Sequence, residues 1–160
     1  VRAIGLSNFV DARFVDLVEN MEVKPAVLQL ETHVFSQQKR MRELMAPYGT
    51  RLMAWAPLAE GRNGIFTHPT LTAIGAKYGK TAAQTALRFL MAEDVIAIPK
   101  SVHRERLVEN FSIDDFELSA EDLDAIRALD GGKPMFADFN DPTLAKFLLE
   151  YDAKFNPERQ

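Results

Sequence analysis

Val95-Ile96-Ala97-Ile98-Pro99-Lys100-Ser101-Val102-His103-Arg104-Glu105-Arg106-Leu107-Val108-Glu109-Asn110 is the stretch that decides the fold. An apolar run, Val95 to Ile98, stops at a proline, which has no N–H to continue a ladder. A basic, hydroxyl-bearing turn follows, and a helix-like stretch begins after it. Lys100, Ser101 and Arg106 can converge on one anion at the mouth of that turn. Glu109 and Asn110 stand three and four residues beyond Arg106, about one helical turn on. The layout suits a nucleotide gripped by its phosphate at one end and its adenine at the other. On spacing alone, a solvated basic turn capping a helix accounts for the same residues.

The same strand-then-helix unit recurs upstream. Strands are predicted over Val1–Leu6, Ala26–Leu30, Arg51–Trp55 and Val95–Ile98. They are apolar nearly throughout, as parallel strands covered on both faces are. Val10, Phe14, Leu17, Val18 and Met21 make one helical stripe, and Met41, Leu44, Met45 and Tyr48 a second. The third connection is longer, with a segment around Pro69–Tyr78 and a helix from Thr81 to Met91. Thr81 with Gln84 fits a capping box. Ser119 opens a last helix that ends at Asp130-Gly131-Gly132. This alternation argues an α/β fold with a parallel sheet. Four βα units are half of a (β/α)8 TIM barrel, whose usual length is about 250 residues. A small doubly wound sheet is the rival on pattern alone. Ser7, Asn8, Gln29, Glu31, Trp55 and Lys100 favour the barrel. All lie in or just past the C-terminal ends of their strands, where barrels carry their sites. The expected division is a half-barrel over 1–132 and a C-terminal arm over 133–160. Residues such as Leu28 and Met53, or their neighbours, are expected on the barrel's inner face.

Bulk properties set limits. The chain has 160 residues, 47% of them hydrophobic, and a net charge of −4. Its pI is about 5.4. No general affinity for nucleic acid or for an anionic membrane follows from that balance. There are no cysteines, so disulfides, thiolate metal sites and cysteine nucleophiles are excluded. No apolar run approaches the roughly 20 residues that cross a bilayer. No charged-then-apolar leader precedes the first strand, and a cytoplasmic protein is the expectation. The chain opens with Val1 directly in a strand, like a domain cut at that point. His33, His68 and His103 show no metal-ligand spacing, so no metal is expected.

The turn after Ile98 resembles the adenosine-phosphate-binding loop of the aldo-keto reductases, which carry Ile-Pro-Lys-Ser, then Arg, then Glu-Asn at this spacing. Three further segments resemble the same family in the same order: Ile4-Gly5-Leu6-Ser7-Asn8-Phe9, Leu28-Gln29-Leu30-Glu31-Thr32-His33, and Ala54-Trp55-Ala56-Pro57-Leu58 running on to Glu60-Gly61. The similarity covers roughly residues 1 to 130. Ala56–Phe66 and Phe136–Pro142 look most like bacterial members of the diketogluconate-reductase type. Four ordered motifs make a specific signal.

The resemblance implies roles. Ser7, Asn8 and Gln29 would hold a nicotinamide carboxamide, which offers both donor and acceptor. Read without it, Ser7 and Asn8 form a helix-capping turn, and Gln29 is a buried amide that must find partners. Trp55, the single tryptophan, would stack on the nicotinamide ring, where the family often has Tyr; otherwise it is core. Leu58 matches the family, whereas Ala56 and Glu60 replace serines that touch the pyrophosphate in some members. Val34 replaces a proline after His33. Lys100, Ser101 and Arg106 would bind the 2′-phosphate of NADP(H), since two cations suit a dianion, and Glu109 and Asn110 the adenine. No Gly-x-Gly-x-x-Gly is present to indicate a Rossmann site.

The family's Asp–Tyr–Lys–His set lies on the other half of its barrel. Tyr48, Tyr78 and Tyr151 match none of its motifs, so no catalytic residue is assigned here. Two readings follow. One is the cofactor-binding half of an NADPH-dependent reductase acting on a small carbonyl substrate, inactive alone. The other is a non-catalytic nucleotide-binding or interaction half-barrel that pairs with itself or with a missing N-terminal half.

Overall fold

The computed structural model describes residues 1–155, and side chains through Tyr151. Four parallel strands form one sheet in chain order: β1 (Gly5–Ser7), β2 (Val27–Glu31), β3 (Arg51–Trp55) and β4 (Ile96–Ala97). Between them run α1 (Ala12–Asn20), α2 (Lys39–Met45), α3 (Pro69–Lys77) and α4 (Ala82–Ala92). After β4 come α5 (Arg104–Phe111), α6 (Ala120–Arg127) and α7 (Pro142–Phe155). A kinked pair of 3-10 turns, Ala59–Thr67, lies between β3 and α3. Four βα units plus an arm make half of a (β/α)8 barrel, as the alternation predicts.

β2 and β3 have the expected ends to within a residue. β1 and β4 are shorter. Val1 to Ile4 are exposed, and pairing starts only where Ala26 N–H donates to Ile4 O, 2.9 Å. Before that point the neighbouring chain runs through Pro25, which has no N–H to give. Pro99 likewise ends β4. Gly5 lets β1 lie close to β2, because a Cβ there would stand 2.7 Å from Val27 Cγ2.

The register separates the two faces. Leu28 pairs with Leu52 and Leu30 with Ala54, and all four are buried. They meet Phe14 and Val18 of α1 and Met41 and Met45 of α2 in the main core. Burial of each large side chain is worth roughly 1.5–3 kcal/mol. Ser7, Gln29 and Met53 lie level on the opposite, inner face. Met53 faces inward as expected, and at the other position it is Leu28's neighbour Gln29 that does, while Leu28 itself faces the helices. In β2 the polar Gln29 and Glu31 alternate with Leu28 and Leu30, and a shift of one residue would exchange the faces.

Thr81 and Gln84 form the expected capping box on α4. Ser119 caps α6. α6 is stapled to the barrel by Glu93, which takes Arg42 at 2.7 Å and Arg127. Burial pushes the Glu93 carboxyl up, but the two guanidiniums outweigh this and hold it below its ordinary value. Gln37 adds a bond to Ile126 O, 2.9 Å. The arm follows α6. Its first part, Met135 to Phe139, is half-buried apart from Asp138, whereas α7 is exposed along nearly all its described length.

Candidate functional site

The C-terminal ends of the strands gather Ser7, Asn8, Gln29 and Trp55. Asn8 adopts φ 61°, a left-handed conformation that asparagine tolerates better than most residues. Its N–H donates to Gln29 O, 2.9 Å, and its Oδ1 accepts from Trp55 Nε1, also 2.9 Å. β1 and β3, which are not neighbours, are thus joined across β2. Ser7 pairs with Gln29 in the ladder, and the Gln29 amide donates only to Met53 Sδ, 3.5 Å, a weak acceptor. Gln29 therefore keeps hydrogen-bonding capacity for something above the rim. Trp55 is half-buried.

Beyond β3 the chain turns sharply. Ala56, Ala59, Glu60 and Asn63 all have φ near 50°, a region costly for residues with a Cβ. Leu58 is half-buried against the core, and its carbonyl accepts from Gly61 N–H, 2.9 Å.

The turn after β4 is built differently. Lys100 and Arg106 are exposed and carry no hydrogen bond or ion pair among the described residues. Ser101 Oγ accepts from His103 N–H, 3.1 Å, which shapes the turn. No bond links Lys100, Ser101 and Arg106 to one another. Glu109 is engaged, its carboxylate accepting from Thr81 Oγ1, 2.6 Å. Asn110 is half-buried beside Pro99 and Ile113, in a cleft of about 400 Å³ at the β4 edge. The tyrosines are used elsewhere. Tyr48 bonds Glu19 and Tyr78 bonds Asp122, while Tyr151 lies on exposed α7 against Phe147.

Reasoning from sequence missed one cluster. Glu31 shares the inward face with Gln29, yet only 3% of it is exposed. The arm covers it. Glu31 accepts from Met135 N–H, 2.5 Å, from Phe136 N–H, 3.1 Å, and from His33 Nε2, 3.1 Å. His33 Nδ1 accepts from Phe35 N–H, 3.2 Å, so the ring proton sits on Nε2 and points at Glu31. Burial pushes the Glu31 carboxyl up, but His33 and the two arm amides hold it below its ordinary value. Phe136 packs against Trp55, 5.6 Å between centroids, and against His33, 6.2 Å. Arg62 lies over the Phe136 ring at 4.5 Å. An acid at an inward position of an apolar strand was the one signal available.

The rim and sheet define a (β/α)8-barrel protein with a polar site at the C-terminal ends of its strands. The chain belongs to the aldo/keto reductase family, whose model matches residues 1–131. It is 42% identical over 129 residues to a glyoxal reductase of Bacillus subtilis, covering 81% of this chain and 46% of that protein. The solved structure of MGS-M4, an aldo-keto reductase from a Medee basin deep-sea metagenome library, superposes with a TM-score of 0.84 at 37% identity. That match covers 88% of this chain and 52% of the other. A variant of Gox0644 in complex with NADPH superposes with a TM-score of 0.82 at 35% identity, covering 88% and 51%. The chain spans about half the length of the relatives it matches.

Proposed function

We propose that this chain is the cofactor-binding half of an NADPH-dependent aldo-keto reductase that reduces an aldehyde or ketone to the alcohol. The observation that carries this is the pair of exposed, unpartnered cations, Lys100 and Arg106, flanking Ser101 in the turn after β4. A 2′-phosphate dianion is the group such a pair suits. At the other end Ser7, Asn8 and Gln29 would orient the carboxamide, and Trp55 would give the nicotinamide ring a flat apolar face. Leu58 would wall the path between the ends, and Glu109 and Asn110 would frame the adenine. NADPH supplies the hydride when bound. This chain's residues hold and orient it, and the proton donor belongs to the remainder of the complete protein. The residues present fit the coenzyme: Gln29 keeps unused hydrogen-bonding capacity, and the cations have no other anion. A cytoplasmic protein is the location this reading expects.

The test is coenzyme affinity of the complete protein with Arg106→Ala. Loss of one charge-assisted contact should weaken NADPH by about 1.5–3 kcal/mol and leave NADH nearly unchanged. Equal loss for both would sink the assignment.

A specific observation favours a second reading, self-association as a non-catalytic half-barrel. Val102, Leu107, Val108 and Phe111 are 75%, 48%, 58% and 84% exposed around α5. β1 and β4 also each have one edge without a strand partner among the described residues. Light scattering of the isolated chain separates the readings: a closed dimer that binds no NADPH would favour the second.

A further inference from the structure

We propose that Glu31 is a positioning residue for the rim: its buried carboxylate latches the C-terminal arm at Met135–Phe136 and so fixes Phe136 as a wall against Trp55. The placement of Trp55 in a nicotinamide site rests on the function proposed above; the latch itself does not.

The geometry is unusual for an arm. Peripheral segments are commonly held by apolar contacts and are among the first to open. Here two consecutive backbone amides converge on one carboxylate, Met135 at 2.5 Å and Phe136 at 3.1 Å. The side chain of Glu31 is 2% exposed. A buried carboxylate is costly unless its oxygens are satisfied. His33 fills the remaining position, and its own orientation is set by the Phe35 amide. The acceptor thus stands ready, with the arm providing two of its three donors. Opening the arm would leave an under-bonded charge at the rim.

The consequence falls on Phe136. Its backbone N–H is one of the two latched groups, so its ring cannot drift along the arm. It packs on Trp55 and His33 from one side and lies under the Arg62 guanidinium from the other. Arg62 comes from the strained 3-10 segment that follows β3. The arm and that segment therefore meet through one aromatic ring. Glu31 stands opposite Trp55 in the β2–β3 ladder, but its carboxylate bonds the arm and His33, and it acts through the arm.

The test uses the 160-residue chain without coenzyme and reads two signals. One is hydrogen exchange at the Met135 and Phe136 amides. The other is acrylamide quenching of Trp55, the single tryptophan. Glu31→Gln keeps the shape but presents an NH2 to one of the two amide donors. It should speed exchange at both amides by at least about tenfold and increase quenching of Trp55. Exchange in the core strand β2 should not change. Phe136→Ala should increase quenching while the Met135 amide stays protected. That split distinguishes a latch from general loosening. Unchanged amide exchange in Glu31→Gln, or unchanged Trp55 quenching in Phe136→Ala, would overturn the proposal. If Glu31→Gln does not fold, the Phe136→Ala pair of readings decides alone. Because no coenzyme is present, these outcomes are independent of the Arg106→Ala experiment.

Discussion

At one end of the rim, Asn8, Gln29 and Trp55 are half-buried, and Asn8 ties β1 to both β2 and β3 before any ligand arrives. At the other end, Lys100 and Arg106 stand exposed with no partner among the described residues. The first end is built by the sheet and inherits its rigidity. The second is built by a turn and a surface helix, and its charges are exposed. A neutral carboxamide offers weak, directional bonds and rewards preorganisation. A phosphate dianion offers strong, long-range attraction and tolerates mobile partners. The two constructions match the two chemistries expected of them.

That contrast can be broken by substitution. The largest effect is expected beneath the preorganised end. Leu28→Ala removes a fully buried side chain behind Gln29 and should destabilise the chain by about 2–5 kcal/mol, read from urea unfolding followed by circular dichroism. A loss below about 1 kcal/mol would mean the sheet does not support the rim as described. Trp55→Phe keeps the ring face but leaves Asn8 Oδ1 without its donor, and about 1 kcal/mol should be lost in the same assay. Arg106→Ala should lie at the small end, within roughly 0.5 kcal/mol of the parent. A large loss there would show that the turn is structural after all.

Acid provides another probe of the preorganised end. The folded carboxyl of Glu31 is held below its ordinary value. Its contribution is therefore fully present above the unfolded value, about 4.3, and is lost as pH falls through the lower folded value. Trp55 emission should hold steady from neutral pH down to that range and change on further acidification. A transition near neutral pH would assign the change to another group.

Much of this could be read from the sequence, and the exceptions are instructive. The strand–helix order, β2 and β3, the Thr81 capping box and the turn after Ile98 are local features, set by residues a few positions apart. The facing of Leu28 was marked in its own strand, where the polar Gln29 and Glu31 alternate with Leu28 and Leu30. The ends of β1 and β4 depend on prolines that deny a donor, at Pro25 in the neighbouring strand's approach and at Pro99 in the same one. The role of Glu31 was not legible, since its amide donors lie 104 and 105 residues away. His33 read as an unassigned histidine because its partner is two residues off and its purpose is in the arm.

The sheet's order carries a consequence for how the chain comes to be folded. Strands that are neighbours in space are neighbours in sequence, so each can dock on its predecessor as it leaves the ribosome, without waiting for distant partners. The staples do not share this property. Gln37 needs Ile126, Glu93 needs Arg127, and Glu31 needs Met135. A nascent chain that has just released α5 would hold a finished sheet while two carboxylates, Glu31 and Glu93, still await donors from segments not yet made. Docking of α6 and of the arm is then also the step that completes the bonding of these two carboxylates.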